Sequence, residues 1–88
     1  MNPIVVKFGG SSLATAAQFE KVAAIIREAP ARRYVVASAP GKRFDGDTKV
    51  TDLLYRCYDA ACAGQEFAPV LDEIRQRFAD IIGALRLS

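Results

Sequence analysis

Ile4-Val5-Val6 opens the chain with an unbroken apolar, β-branched run instead of an alternating one. That pattern predicts a strand over Pro3–Phe8 that is covered on both faces. The period then changes. Phe19, Val22, Ala23 and Ile26 recur at helical spacing, and Ile25 widens the stripe, which predicts a helix over Thr15–Glu28. Thr15 with Gln18 three residues on resembles a capping box, and Pro30 ends the helix. A turn over Ala29–Arg33 leads to a second apolar run, Tyr34-Val35-Val36-Ala37. Strand, helix and strand in this order predict a βαβ unit with parallel strands and a right-handed crossover.

Ser38–Thr48 reads as loop, with turn signals at Pro40-Gly41 and Asp45-Gly46-Asp47. Val50, Leu53, Leu54, Cys57 and Ala61 then share one helical face, closed by Gly64, with Thr48 or Thr51 as the cap. A third helix is predicted from about Pro69 to Leu85, with proline in its first turn. Its stripe is Val70, Leu71, Ile74, Phe78, Ile81, Ile82 and Leu85. Glu73 and Arg77 are placed as an i,i+4 pair on a wetter face, worth tenths of a kcal/mol. Tyr55 and Tyr58 read as packing residues. The two helices form an antiparallel hairpin through Gly64–Phe67. The predicted class is α/β, a parallel sheet with flanking helices, in one unit over residues 1–88. Two strands cannot cover both helices' apolar faces, so a homo-oligomer or further chain downstream is expected.

Composition narrows the function classes. Of 88 residues, 51% are hydrophobic and the net charge is +2, too small to argue for nucleic acid. No apolar run approaches a membrane span. Met1-Asn2-Pro3 lacks the basic region, long apolar stretch and cleavage site of a secretory leader, so a cytoplasmic protein is expected. Cys57 and Cys62 lie on one helix, roughly 140° apart at about 100° per residue, and cannot bridge there. With no histidine in the chain, no zinc site is expected.

The stretch with the most chemistry is Lys7-Phe8-Gly9-Gly10-Ser11-Ser12. A cation ends a strand, two glycines follow, and a helix begins beyond. Glycines let backbone approach a ligand, and a helix start offers free N–H groups that suit a phosphate. The same residues also describe an ordinary flexible turn, and both readings stand. Lysine precedes the glycines and the glycines are adjacent, which excludes the Walker A and G-x-G-x-x-G signatures.

Together with Val35-Val36-Ala37-Ser38-Ala39-Pro40-Gly41 and Thr51-Asp52-Leu53-Leu54, this stretch resembles the opening of the aspartate kinases, within the amino acid kinase family. The Ser-Ala-Pro-Gly-Lys-Arg form of the second motif resembles one variant of that family. The resemblance covers nearly all of the chain and implies the front part of the catalytic domain, without the adenosine-binding half or regulatory domains. It implies ATP-dependent phosphorylation of the β-carboxylate of L-aspartate, with ATP and Mg2+ as cofactors. By resemblance, Lys7 would contact the transferring phosphoryl group, and Gly9, Gly10 and Ser11 would supply donors around the phosphates. Ser38 would lie near the reacting groups, and Thr51 would help to hold the aspartate. Topology independently puts Lys7 and Ser38 at the carboxyl ends of parallel strands, where ligands of such sheets bind.

The bland readings are a strand-end lysine, a loop serine, and a threonine that only caps a helix. Lys42, Arg43 and Lys49 read as solvated loop charges. Two other functions remain open. One is a related kinase acting on glutamate, acetylglutamate or carbamate. The other is a non-catalytic module that binds a phosphate or a partner. By itself the chain is expected to be inactive, since half of a nucleotide site cannot hold ATP productively.

Overall fold

The computed structural model describes residues 2–87; Met1, where a leader would begin, and Ser88 lie outside them. β1 (Ile4–Phe8) and β2 (Arg32–Ala37) pair in parallel, linked through α1 (Ala16–Glu28). The register sets Lys7 beside Val36 and Phe8 beside Ala37, so both strands end at the same edge. β2 starts two residues before its apolar run, because the backbone around Arg32 pairs with the start of β1 whatever its side chains: Ile4 N–H donates to the Ala31 carbonyl at 2.7 Å.

The expectation of a sheet covered on both faces is corrected. Val6 and Phe8 are half-buried while Val5 and Lys7, on the opposite face, are exposed, and β2 is exposed from Arg33 onward. α1 is the helix that packs on the sheet, and it covers little of it.

α1 starts as its sequence predicts. The Thr15 hydroxyl accepts from Gln18 N–H at 3.3 Å. The reciprocal half of the box is absent among the described residues; the Gln18 side chain instead donates to the Ser11 carbonyl at 3.4 Å. Between the glycines and α1 lies a 3-10 turn, Gly10–Leu13, that periodicity did not reveal. It buries Leu13, and Ala14 follows it into the interior.

α2 (Val50–Cys62) and α3 (Ala68–Ala84) fold back on each other. Gly64, at φ 71°, ends α2 in the left-handed conformation that glycine tolerates best, and Gln65 N–H caps the Ala60 carbonyl at 2.8 Å. Val50, Leu53 and Ile74 form the core, with Ala39, Cys57 and Val70 against it. Two expectations fail here. Leu54, Tyr55 and Tyr58 are exposed, because α3 covers only the Val50–Leu53–Cys57 side of α2. On α3 the buried positions are Ile74, Arg77 and Ile81, so Arg77 occupies the stripe and is only 4% exposed. It does not pair with Glu73.

The Cα radius of gyration is 15.6 Å, against about 12 Å for a compact domain of this length. The molecule is long, 54 × 27 × 25 Å. α1 touches α3, and the loops that follow β1 and β2 join the sheet to the α2–α3 pair. No helix among the described residues is long and apolar enough to cross a membrane.

Candidate active site

The two loops leaving the sheet lie against each other. Ser38 N–H donates to the Phe8 carbonyl at 3.1 Å, carrying the ladder one residue past β2. Gly41 N–H then donates to the Gly10 carbonyl at 2.8 Å. A Cβ on Gly41 would sit 2.7 Å from the Gly10 carbonyl carbon, and one on Gly10 would sit 3.1 Å from the Gly41 Cα. Gly41 is therefore glycine for steric reasons, and a side chain at Gly10 would need the facing backbone to shift by a few tenths of an ångström. Gly9 differs. Its φ of −77° suits any residue, and a Cβ there would meet nothing within 4 Å. The described chain gives no packing reason for glycine at that position, and the space beside it is open.

Val50 N–H donates to the Pro40 carbonyl at 3.0 Å, which hooks the first turn of α2 onto the loop after β2. The result is a cleft of about 420 Å³ at the carboxyl edge of the sheet. Gly10 and Ser11 line it from the first loop, Ser38 and Gly41 from the second, and Lys42, Lys49 and Thr51 from the approach to α2. Four of the residues singled out by sequence, Gly10, Ser11, Ser38 and Thr51, are thus brought together. Lys7 and Gly9 are not in the lining: Lys7 projects from the exposed face of β1, one residue before the end of the strand.

The capping role weighed for Thr51 does not hold. The N-cap of α2 is Lys49, which makes no side-chain cap bond, and Thr51 is an exposed residue of the first turn. Among the described residues no hydrogen bond engages the hydroxyls of Ser38 or Thr51, so both are free to face a ligand. The cleft's charged side chains are lysines, and no carboxylate lines it. Its chemistry is that of an anion site: bare backbone, hydroxyls and ammonium groups. Magnesium is usually held by one or two carboxylates together with substrate phosphates, and this cleft has no carboxylate to offer it. Among the described residues no three acidic, cysteine or histidine side chains gather to hold a metal ion.

The three loop cations read as solvated divide in the structure. Lys42 and Lys49 line the cleft, whereas Arg43 grips Asp47. Its Nε donates to Asp47 Oδ2 at 2.6 Å, its Nη2 to Oδ1 at 2.9 Å, and its backbone N–H to Oδ2 at 2.9 Å. Those bonds from Arg43 hold the Asp47 carboxyl far below its ordinary 3.8. In return, Asp47 raises the guanidinium of Arg43 above its ordinary value.

Beneath the loop lies Arg77. Its Nη2 donates to the Gly41 carbonyl at 2.5 Å and its Nη1 to the Thr48 carbonyl at 2.8 Å, with Asp47 at 3.7 Å. Burial, then repulsion from Arg43, lowers its pKa. Its Nε is buried with no partner among the described residues. The i,i+4 rule favoured Glu73 for Arg77. The missed signal was spacing: positions 70, 74, 77 and 81 form one regular inward face.

A parallel βαβ edge with close-packed glycine backbone at its carboxyl end is an α/β arrangement that suits an anion. Residues 2–85 match the amino acid kinase family, and the chain belongs to that family. It is 48% identical over 83 residues to aspartokinase 3 of Bacillus subtilis (strain 168), an alignment spanning 94% of this chain and 18% of that protein. The crystal structure of Clostridium acetobutylicum aspartate kinase matches with a TM-score of 0.96 at 44% identity, over 100% of this chain and 20% of that one. The chain thus spans about a fifth of the length of these relatives.

Proposed function

We propose that these residues form the part of an ATP-dependent aspartate kinase where the transferring phosphoryl group meets the β-carboxylate of L-aspartate. The observation that carries this reading is the carboxylate-free cleft, with two lysines, the hydroxyls of Ser11, Ser38 and Thr51, and close-packed glycine backbone at the carboxyl edge of a parallel sheet. The similarity to the two aspartate kinases supports the choice of substrate.

The chemistry asks little of acid or base. A carboxylate oxygen attacks the terminal phosphorus of ATP, the bond from that phosphorus to the bridging oxygen breaks, and ADP leaves. The carboxylate is already a nucleophile, so the obstacle is bringing two anions together. Cations and N–H donors aimed at the phosphoryl oxygens remove that obstacle, together with fixed positioning. In this reading Lys7 reaches the phosphoryl group from the end of β1. Gly9, Gly10 and Ser11 present donors to the phosphates, Ser38 lies beside the reacting atoms, and Thr51 holds the aspartate. Lys42 and Lys49 draw both anions in. Magnesium would come with the phosphates of ATP, since no carboxylate of this cleft is there to hold it. The thinly covered sheet and the outer flank of α2 fit burial against more protein, whether a second copy or additional chain. We place the reaction in the cytoplasm.

The test is trapping of aspartyl phosphate as its hydroxamate, using the complete gene product that contains this chain, with MgATP. An aspartate-dependent signal that falls at least about 100-fold in Lys7→Ala is the expected result, the scale of losing one preorganised donor. A folded wild-type product that gives no signal with aspartate overturns the proposal. A signal with glutamate instead moves the substrate to another member of the family.

A further inference from the structure

Arg77 is the one buried charged residue among the described residues, and it sits where an apolar side chain would serve the core. A buried guanidinium is a poor source of stability, since an apolar residue of similar volume often does as well or better. Its main contacts are informative. The two short bonds go to neutral carbonyls, while Asp47, the nearby carboxylate, is bonded more closely by Arg43. Those carbonyls belong to Gly41 and Thr48, the two ends of the loop between Ser38 and Thr51. A planar fork is the group that can span two fixed acceptors at once. Gly41 is held from both sides: its N–H meets Gly10 and its carbonyl meets Arg77. Gly41 also lines the cleft, which Arg77 does not.

We infer that Arg77 is a positioning residue that sets the loop from Gly41 to Thr48 so that Ser38 and Thr51 present aspartate to the phosphoryl group. This rests on the kinase reading above. Arg77 acts through backbone carbonyls and touches neither substrate. Its action falls on the aspartate side of the cleft, because both bonds lie on the stretch that joins Ser38 to Thr51. Arg43 and Asp47 form the outer clasp of the same loop.

The experiment uses the complete gene product and compares wild type with Arg77→Met, Arg77→Lys and Arg43→Gln. Arg77→Met is expected to raise KM for aspartate about 10- to 100-fold, the effect of a small misplacement of positioning groups. KM for MgATP stays within about twofold. Arg77→Lys, reaching one carbonyl, recovers part of the loss. Arg43→Gln, on the exposed side, raises KM for aspartate about threefold, the scale of an exposed ion pair. An unchanged KM for aspartate in a folded Arg77→Met protein overturns the inference, as does an equal rise in both KM values. If Arg77→Met does not fold, an unchanged KM for aspartate in Arg43→Gln overturns it. Failure of the kinase reading shows separately, as a wild type without aspartate-dependent turnover. Hydrogen exchange then decides the loop's dependence on Arg77. Faster exchange of the Gly41 and Val50 amides in Arg77→Lys, with the interior of α2 still protected, supports the inference. Unchanged exchange at both overturns it.

Discussion

Gly41 and Gly10 meet backbone to backbone, joined by a 2.8 Å hydrogen bond and too close for a Cβ on Gly41, which would fall 2.7 Å from the Gly10 carbonyl carbon. Gly41→Ala must push the two loops apart. The expected loss is about 1–3 kcal/mol of stability, the usual result of overpacking, seen as a lower thermal midpoint. Gly9→Ala tests the opposite case. Its backbone is ordinary and its surroundings are open, so the midpoint stays unchanged. If phosphates lie against Gly9, KM for MgATP rises in that variant with no loss of stability.

Asp47 makes stability depend on acid. Arg43 holds its folded-state pKa below the ordinary 3.8, so the unfolded chain takes up the proton first as pH falls. The stabilisation is fully present above the unfolded value and is lost as pH drops toward the folded one. The thermal midpoint of wild type should therefore exceed that of Asp47→Asn at neutral pH. The gap should narrow below about pH 4. A gap that stays constant into strong acid would refute this account.

Leu53 is 2% exposed and packs with Val50 and Ile74. Leu53→Ala should cost about 2–5 kcal/mol, read by thermal or denaturant unfolding.

Thr15 stabilises α1 through one hydroxyl, at 3.3 Å from Gln18 N. Thr15→Ala should cost about 1 kcal/mol, and Thr15→Ser should restore most of it. Equal stability of Ala and Ser at this position would show that the bond contributes nothing.

The elements were legible because period and punctuation agree along the chain. Ile4-Val5-Val6 and Tyr34–Ala37 gave the strands, Thr15 marked the start of α1, and Gly64 its counterpart end on α2. Parallel topology put Lys7 and Ser38 at one sheet edge, and of these Ser38 lines the cleft while Lys7 does not; Gly10, Ser11 and Thr51 came from the family resemblance. The rest depended on contacts that period does not encode. The i,i+4 rule offered Arg77 a local partner, Glu73, whereas its actual partners are carbonyls on a distant loop. Leu54 and Tyr55 are apolar in composition, but only the described neighbours decide which flank of α2 is covered. The 3-10 turn that begins at Gly10 is too short to leave a periodic trace.

The loop's anchorage through Arg77 also orders events in time. Its two bonds span 29 and 36 residues of sequence, whereas α2 and α3 meet across a short turn. Long loop closures come late and are undone early. On refolding, the helical pair should reach its native circular dichroism before the cleft can bind an anion. Under rising denaturant, the order should reverse, with the cleft opening while the helices remain.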